Sequence, residues 1–490
     1  MSNAYSPICL HPENPRYFLY KGKPLVLITA TEHYGSVINR NFDYIAYLNE
    51  AAEVKATLSR CFLLFRELEH IPLNPHSPCK PIPGEYVAPF ARTGPGYAPD
   101  GFPRFDLDKW DPEYFKRLHG FLTEAGKRDT VVELTLFSST YSDSIWNLNP
   151  LNIKNNINGV GDIAWQDYVS MRDSATFERQ KAYVRKIVHE VNAYDNIYLE
   201  ICNEPFGNDP GHVSEEEVRA WHDAMRGVIR EEESRLPKKH LIFQDPMELT
   251  RTDGELDIVV NEKTIDAIDI HDWHHTSYKG TILPPLARFM QRDLKLERII
   301  YLWTTCHDAA KPLIFDEDNA ATNGLDEEAW TIHRKRAWTT LCSGGHYDMI
   351  DFSIQAKGQE AGTPASRAYI RSWMKHLSTF IHSVDFVHTT PVRDFCSKVP
   401  ESTIAVTLAK PGAEYVIYVA DKRERDEKGC GEPCSGILTF SLPTGSYEAR
   451  LYEPVKGEYT GKTFKLNGGH VSLTLEPFTH DIVVHIRVSS

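Results

Sequence analysis

Between residues 24 and 380, short apolar β-forming runs alternate with stretches of helical period, and no other feature restricts the fold as much. The runs are 24–30, 56–65, 131–137, 196–202, 241–243, 265–270, 312–315 and 349–352. Helical spacing separates most of them. Residues 43–53 carry Ile45, Leu48 and Ala52 on one face, and Asp111-Pro112 opens a helix with Phe115, Leu118, Phe121, Leu122 and Ala125 inward. Further helices are expected at 177–191, after a Ser214/Glu217 capping box, at 326–341 and at 365–380. Eight strands mostly separated by helices predict a closed (β/α)8 barrel rather than an open sheet. A small hairpin at about 15–23 precedes it.

Beyond residue 385 the helical period vanishes. Alternating runs at 404–408, 414–419, 435–441, 446–452, 471–475 and 480–488 are separated by turn signals such as Pro411-Gly412 and Gly468-Gly469. They predict an all-β antiparallel sandwich. The expected organisation is therefore a barrel domain with its hairpin over 1–384 and a β-sandwich domain over 385–490. Two insertions, Pro-rich 71–104 and Asn-rich 138–172, are too long for simple connections and are expected to wall the site. Closed walls would favour exo action.

Composition narrows the partners. The chain of 490 residues is 41% hydrophobic and 25% charged, with no apolar run long enough to cross a bilayer, so no membrane association is expected. A formal net charge of -14 argues against nucleic acid, which needs a basic face. No basic cluster followed by an apolar core occupies residues 1–20, so a cytoplasmic location is expected. Ser2-Asn3-Ala4 resembles a tag-cleavage scar, and a trimmed leader would instead imply secretion or the periplasm. The nine cysteines are scattered through expected elements and read as reduced thiols, with Cys430 and Cys434 in one loop as a local disulfide or nothing.

Chemistry concentrates at two strand ends. The fourth run stops at Asn203-Glu204-Pro205, where proline forbids the strand to continue and leaves a carboxyl group at its C-terminal end. The seventh run stops at Asp316-Glu317-Asp318. In a barrel these ends converge on one mouth, and two carboxyl groups about 5 to 5.5 Å apart suit a covalent, retaining glycoside hydrolysis. The reading of the residues leaves Asp316 and Asp318 as competitors of Glu317. Glu200 shares the parity of Glu204 but lies deeper, where pairing with an interior arginine is expected.

The pattern resembles clan A of the retaining glycoside hydrolases, family 5 cellulase-type barrels in particular, over about residues 15–380. The resemblance implies that Glu204 is the acid/base and Glu317 the nucleophile of an O-glycosidase acting on an oligo- or polysaccharide. It implies that Arg60, in Leu-Ser-Arg-Cys-Phe, lies near the nucleophile, and that Asn203 holds a substrate hydroxyl. Glu204 is then expected to have a raised pKa while Arg60 keeps Glu317 ionised. The chain departs from the family 5 pattern after strand six, where a tyrosine is usual and His271-Asp272-Trp273-His274-His275 stands, and at strand eight, where a tryptophan is usual and Asp351-Phe352 stands. The nucleophile's orienting partner and the sugar platform are thereby left unassigned, and an outlying member is implied. His271, Trp273, Trp146 and His33 are candidate substrate contacts, with Trp165 a further stacking surface. No cofactor and no metal are expected. Two rivals are a metal-dependent barrel hydrolase built on His271, His274 and His275, and an inactive carbohydrate-binding barrel.

Overall fold

The structure is a computed structural model that describes residues 6–31, 35–66, 81, 83–205, 212–244, 263–271, 277–278, 281–282, 295–318, 327–350, 364–423 and 427–489. Eight parallel strands share one sheet: β1 (Ile28–Thr31), β2 (Leu58–Phe62), β3 (Val131–Ser138), β4 (Ile197–Asn203), β5 (Ile242–Gln244), β6 (Ala267–Ile270), β7 (Leu313–Asp318) and β8 (His346–Ile350). Pairing runs β1-β8-β7-β6-β5-β4-β3-β2. The two ends of that order meet again: Thr57 N–H, just before β2, donates to Ile28 O, and Arg60 N–H donates to Thr31 Oγ1 at 3.1 Å. The sheet is thus curled into a near-closed barrel.

Helices α1 (Tyr44–Glu53), α2 (Pro112–Lys127), α3 (Ser174–Val191), α4 (Glu215–Glu233), α5 (Leu296–Cys306), α6 (Glu327–Cys342) and α7 (Pro364–Ile381) flank it. Local sequence sets their starts. Asp43 accepts from Ile45 and Ala46 N–H, Asp111 accepts from Glu113 N–H with Pro112 following it, and Ser214 and Glu217 close the expected capping box.

The barrel interior is layered. At the end where strands begin, Leu58, Val131, Tyr198, Ala267 and Ile314 form an apolar floor with Ile8, Phe18 and Tyr20 of the N-terminal segment. That segment is a small antiparallel sheet of Cys9–Leu10, Phe18–Tyr20 and Lys23–Leu25, and Phe18 stacks on Phe243 at 5.9 Å. Above the floor the interior turns polar, with Arg60, Glu133, Glu200, Asp269 and Asp316 all buried. Apolar below and charged above directs the chemistry to the mouth.

Residues 390–488 form an antiparallel sheet domain, as expected. Its strands make one hydrogen-bonded network, in which two long strands, Cys434–Glu453 and Glu458–Phe478, run through both halves of a sandwich-like core. Their register shifts at Leu442/Ser446 and Arg450/Tyr452 let them bend. The domain packs on α6 and α7, with Trp338 stacked on Tyr418 at 5.7 Å and Phe380 against Tyr452 at 4.5 Å. No disulfide joins Cys430 and Cys434.

From residue 83 onward, the described part of the first insertion carries more regular structure than its composition implies. Phe90–Tyr97 and Pro103–Trp110 pair as a hairpin, which docks on the second insertion where Phe105 bridges Asn156. The asparagines explain themselves locally. Asn156 Nδ2 donates to the carbonyls of Pro150, Asn152 and Val160, and Asn155 Nδ2 to those of Asn147 and Asn149. Their amides satisfy a buried loop backbone that has no ladder to join.

Candidate active site

Arg60, fully buried on β2, organises the mouth. Its Nη1 lies 2.7 Å from Glu317 Oε2 and 3.1 Å from Asp316 Oδ2. Nη2 reaches Glu200 Oε2 at 2.8 Å and Asn203 Oδ1 at 2.9 Å, and Nε reaches Glu133 Oε1 at 3.1 Å. Every face of the guanidinium meets an acceptor, so its position is fixed by five side chains from three strands. Glu200 is the deep structural partner expected of it, and it also accepts from Thr135 Oγ1 at 2.6 Å.

Glu204 follows β4 with φ of +46°, a left-handed conformation that a residue with a β-carbon adopts only at a cost. It is 4% exposed, and its Oε1 lies 3.2 Å from His271 Nδ1. Glu317 is 6% exposed. One ligand atom from each of Glu204, His271 and Glu317 forms a set whose members are all within 4.8 Å of one another. An oxygen of each of the two carboxyl groups therefore lies within 4.8 Å of an oxygen of the other.

Strand β7 breaks alternation to achieve this. Its pairing with β8 slips between Phe315 and Asp318, and this irregularity turns the consecutive residues Asp316 and Glu317 to the same Arg60. Asp318 faces away, held by Arg336 Nη1 at 2.8 Å, Tyr347 Oη at 2.7 Å and His333 Nδ1 at 3.0 Å. That cage holds its carboxyl well below the usual range despite burial, with Arg336 and His333 the main attractions.

The electrostatics differ from the sequence expectation at Glu317. Burial pushes its carboxyl up to about 8, against the pull of Arg60 and His271, with the charges of Glu204 and Asp316 adding to the rise. Arg60 does not cancel that rise, because it is shared among four carboxyl groups. Asp316 is held low, since Arg60 and then His271 outweigh its burial.

Asn203 stands beside Glu204, but its amide is engaged within the protein. Oδ1 accepts from Arg60, and Nδ2 donates to Tyr141 Oη at 2.8 Å and Ser138 Oγ at 3.2 Å. Trp146 is placed otherwise than expected. It is buried, packs on Tyr168 at 5.2 Å and donates its indole N–H to Ile163 O at 3.2 Å, because a one-turn helix at Asp143–Trp146 turns it into the loop core. Its face is not presented to a sugar. Trp165 is partly buried in the same insertion. His33, Trp273, His274 and His275 lie outside the described residues.

Three residues that sequence reasoning passed over belong to the site. Tyr141, also left-handed at φ of +55°, hydrogen-bonds Glu204 and Asn203. Glu133 and Asp348 line the polar interior. The inward parity of Glu133 on the same run as Thr135 was the available signal. For Tyr141 no local pattern existed.

Among the described residues, two sets of side chains have donors spaced as metal ligands are, Glu204/His271/Glu317 and Glu133/Asp269/Asp316. The local chemistry favours another use. Both nitrogens of His271 already meet carboxylates, and Arg60 supplies the positive charge that three of these acids, Glu133, Asp316 and Glu317, share.

Paired carboxyl groups over the open end of a (β/α)8 barrel define a class, the barrel glycoside hydrolases. The family model described as Cellulase (glycosyl hydrolase family 5) matches residues 88–343, more than half of the chain, and the chain belongs to that family. It is accordingly a glycoside hydrolase with a carbohydrate substrate. Among solved structures it is similar to a glycoside hydrolase at 14% identity and TM-score 0.63, covering 99% of this chain and 97% of that one. A family 5 glycoside hydrolase from Bacteroides vulgatus ATCC 8482 has 13% identity and TM-score 0.62, covering 99% and 93%. An endo-1,4-beta-mannanase from Rhizomucor miehei has 14% identity and TM-score 0.53, covering 77% and 100%. These likenesses show the fold. No curated protein sequence matches the chain. No helix among the described residues is long and apolar enough to cross a membrane.

Proposed function

We propose that this glycoside hydrolase cleaves its substrate by double displacement with retention, using Glu204 as acid/base and Glu317 as nucleophile. The observation that carries the proposal is the approach of the two carboxyl groups to within 4.8 Å between oxygens. Retaining pairs stand about 5 to 5.5 Å apart, whereas inverting pairs need about 6.5 to 9.5 Å to admit a water.

In the first step Glu204 gives a proton to the glycosidic oxygen as Glu317 bonds to the anomeric carbon and the leaving sugar departs. In the second, water attacks that carbon, Glu204 takes its proton and Glu317 is released. The pair must then carry one proton, and it must sit on Glu204. Burial makes a retained proton favourable at neutral pH, and the 2.7 Å bond from Arg60 to Glu317 favours the arrangement with the charge on Glu317. Asn203 would hold the 2-hydroxyl by exchanging its bond to Ser138 or Tyr141 for one to the sugar.

The test is a panel of aryl glycosides and plant, algal and microbial polysaccharides, including β-1,4-mannan on the strength of the mannanase likeness. The anomer of the first product is followed by NMR. Retention, and labelling of Glu317 by a 2-fluoro glycoside of the sugar found, are expected. An inverted product, or a label elsewhere, overturns the assignment. Loss of activity to a strong chelator would favour the metal-dependent rival, and binding without turnover the inactive barrel.

A further inference from the structure

Strand β7 carries one residue more than β8 at the mouth. Phe315 pairs with Tyr347 and Asp318 with Met349, so Asp316 and Glu317 together stand opposite Asp348. That is a β-bulge, and it brings both residues to Arg60 Nη1, at 3.1 and 2.7 Å. Had the register of Phe315 and Tyr347 continued, Glu317 would pair with Met349 and Asp318 with Ile350. Paired residues share a face of the sheet, and Tyr347 faces α6, where its hydroxyl lies 3.1 Å from His333 Nδ1. Regular pairing would therefore point Glu317 out toward the helices and bring Asp318 in. The two arrangements differ by a slip of one residue.

The first side chain past the bulge selects between them. One oxygen of Asp318 accepts from Arg336 Nη1 at 2.8 Å, and the other accepts from Tyr347 Oη at 2.7 Å and lies 3.0 Å from His333 Nδ1. All four side chains are fully buried. The packing beside them is apolar, with Phe315 edge-on to Tyr347 at 5.6 Å and Trp303 against Phe315 at 5.4 Å. A charge pair sealed in such a layer stabilises little more than an apolar filling would, and its best-attested use is to fix register. The cage is built on α6 and β8, so the end of β7 is held by neighbours that do not slip with it. Arg334, two residues before Arg336, is bound to Asp481 of the C-terminal domain at 2.8 Å, which fixes α6 from its other side.

We infer that Asp318 is a positioning residue: bound by Arg336, His333 and Tyr347, it locks the one-residue bulge of β7 and so decides that Glu317, rather than Asp318 itself, faces Arg60. This rests on Glu317 being the nucleophile. Asp318 acts through the backbone that joins it to Glu317 and touches no reacting atom. Without its carboxylate, Arg336 and His333 favour the regular register, which offers them Glu317 instead. Of the two acids that compete with Glu317 in the sequence, Asp318 is thereby the one that keeps Glu317 in place.

The experiment compares wild type with Asp318→Ala. Each is treated with the dinitrophenyl 2-fluoro glycoside of the sugar that the panel identifies, and labelling of Glu317 is followed by mass spectrometry. Labelling of folded Asp318→Ala is expected to be about 10–100-fold slower, the range typical of groups that orient a reacting side chain from outside. On the dinitrophenyl and phenyl glycosides kcat/KM should fall by the same factor, because the nucleophile attacks whichever group leaves. A packing role would lower the melting temperature and leave the labelling rate of the folded protein alone. Labelling at the wild-type rate, or a loss confined to the phenyl glycoside, overturns the inference. A wild-type label anywhere but Glu317 shows instead that the nucleophile reading has failed. Should Asp318→Ala not fold, Tyr347→Phe removes one bond of the cage and keeps the ring. Labelling about fivefold slower is then expected, the worth of one hydrogen bond, and an unchanged rate overturns the inference. If the panel finds no substrate, a crystal structure of Asp318→Ala decides. Glu317 turned off Arg60 is expected, and Glu317 still hydrogen-bonded to Arg60 overturns the inference.

Discussion

Arg60 and Arg334 are both fully buried and both grip carboxylates, yet they sit in opposite kinds of environment. Arg334, on α6, forks onto a single partner, Asp481 of the C-terminal domain, at 2.8 and 3.0 Å, and Tyr418 Oη donates to the same carboxylate at 3.0 Å. Charges there are matched one to one, which suits a fixed joint between two domains. Arg60 faces Glu133, Glu200, Asp316 and Glu317 at once. One cation cannot neutralise four anions in a buried space, so protons are retained: burial holds the carboxyls of Glu133 and Glu317 up. A matched pair makes structure, and an excess of acid makes a place where protons can be lent.

The largest expected effect tests the excess side. Glu317→Gln should fold normally and lose activity by at least about 10⁴-fold, the order seen when one member of a reacting unit is removed. Turnover on the aryl glycoside and a melting curve check both halves. Removing the cations comes next. Arg60→Met and Arg334→Met should each destabilise by about 3–5 kcal/mol, because each strands buried charge. Rescue separates them. Arg334→Met with Asp481→Leu should return close to wild type in a denaturant melt, whereas no single carboxylate replacement should rescue Arg60→Met. Rescue of both would erase the distinction.

A smaller effect follows from pH. The Glu317 carboxyl has an ordinary value of 4.5 and is pushed up to about 8 in the fold. Between those values the folded state holds a proton that the unfolded chain has lost, so this group's contribution falls as pH rises through about 8 and is flat beyond. Below about 4.5 it costs nothing. The melting temperature of wild type should therefore drop more between about pH 5 and pH 9 than that of Glu317→Gln, whose amide has no proton to lose. The difference should be a few degrees. Parallel curves would show that the Glu204/Glu317 pair retains no proton at neutrality in the free protein.

Where sequence patterns are local, they were legible. Asp111-Pro112 and the Ser214/Glu217 box open helices, and Asn203-Glu204-Pro205 ends a buried strand at the mouth. Helix α5 had no such signal. Leu296, Ile299, Ile300, Leu302, Trp303 and Cys306 are all buried, so its apolar face is too wide for a clear 3.6 period. The hairpin over 90–110 was hidden because Gly94-Pro95-Gly96 reads as loop. At the site the parity rule itself fails. Alternation would put Asp316 and Glu317 on opposite faces, and only the irregular pairing of β7 joins them. The burial of Trp146 likewise depends on a loop fold with no period to read.

The finest test removes one oxygen atom at each arginine. Tyr418→Phe deletes a donor to Asp481, which keeps both bonds from Arg334. The loss should be about 1 kcal/mol of stability, the net worth of one such hydrogen bond, with kcat unchanged. Tyr141→Phe deletes the hydroxyl that meets Asn203 Nδ2 and Glu204. Asn203 Nδ2 retains Ser138 as an acceptor, so stability should change by less than about 1 kcal/mol. On the proposed mechanism Glu204 loses a partner on the group that gives and takes the proton, so kcat should fall about tenfold, with the larger loss on poor leaving groups. Both substitutions conserve ring, volume and charge. If Tyr418→Phe altered kcat, or Tyr141→Phe cost stability and left kcat alone, charge balance around an arginine would not be what divides joint from site in this chain.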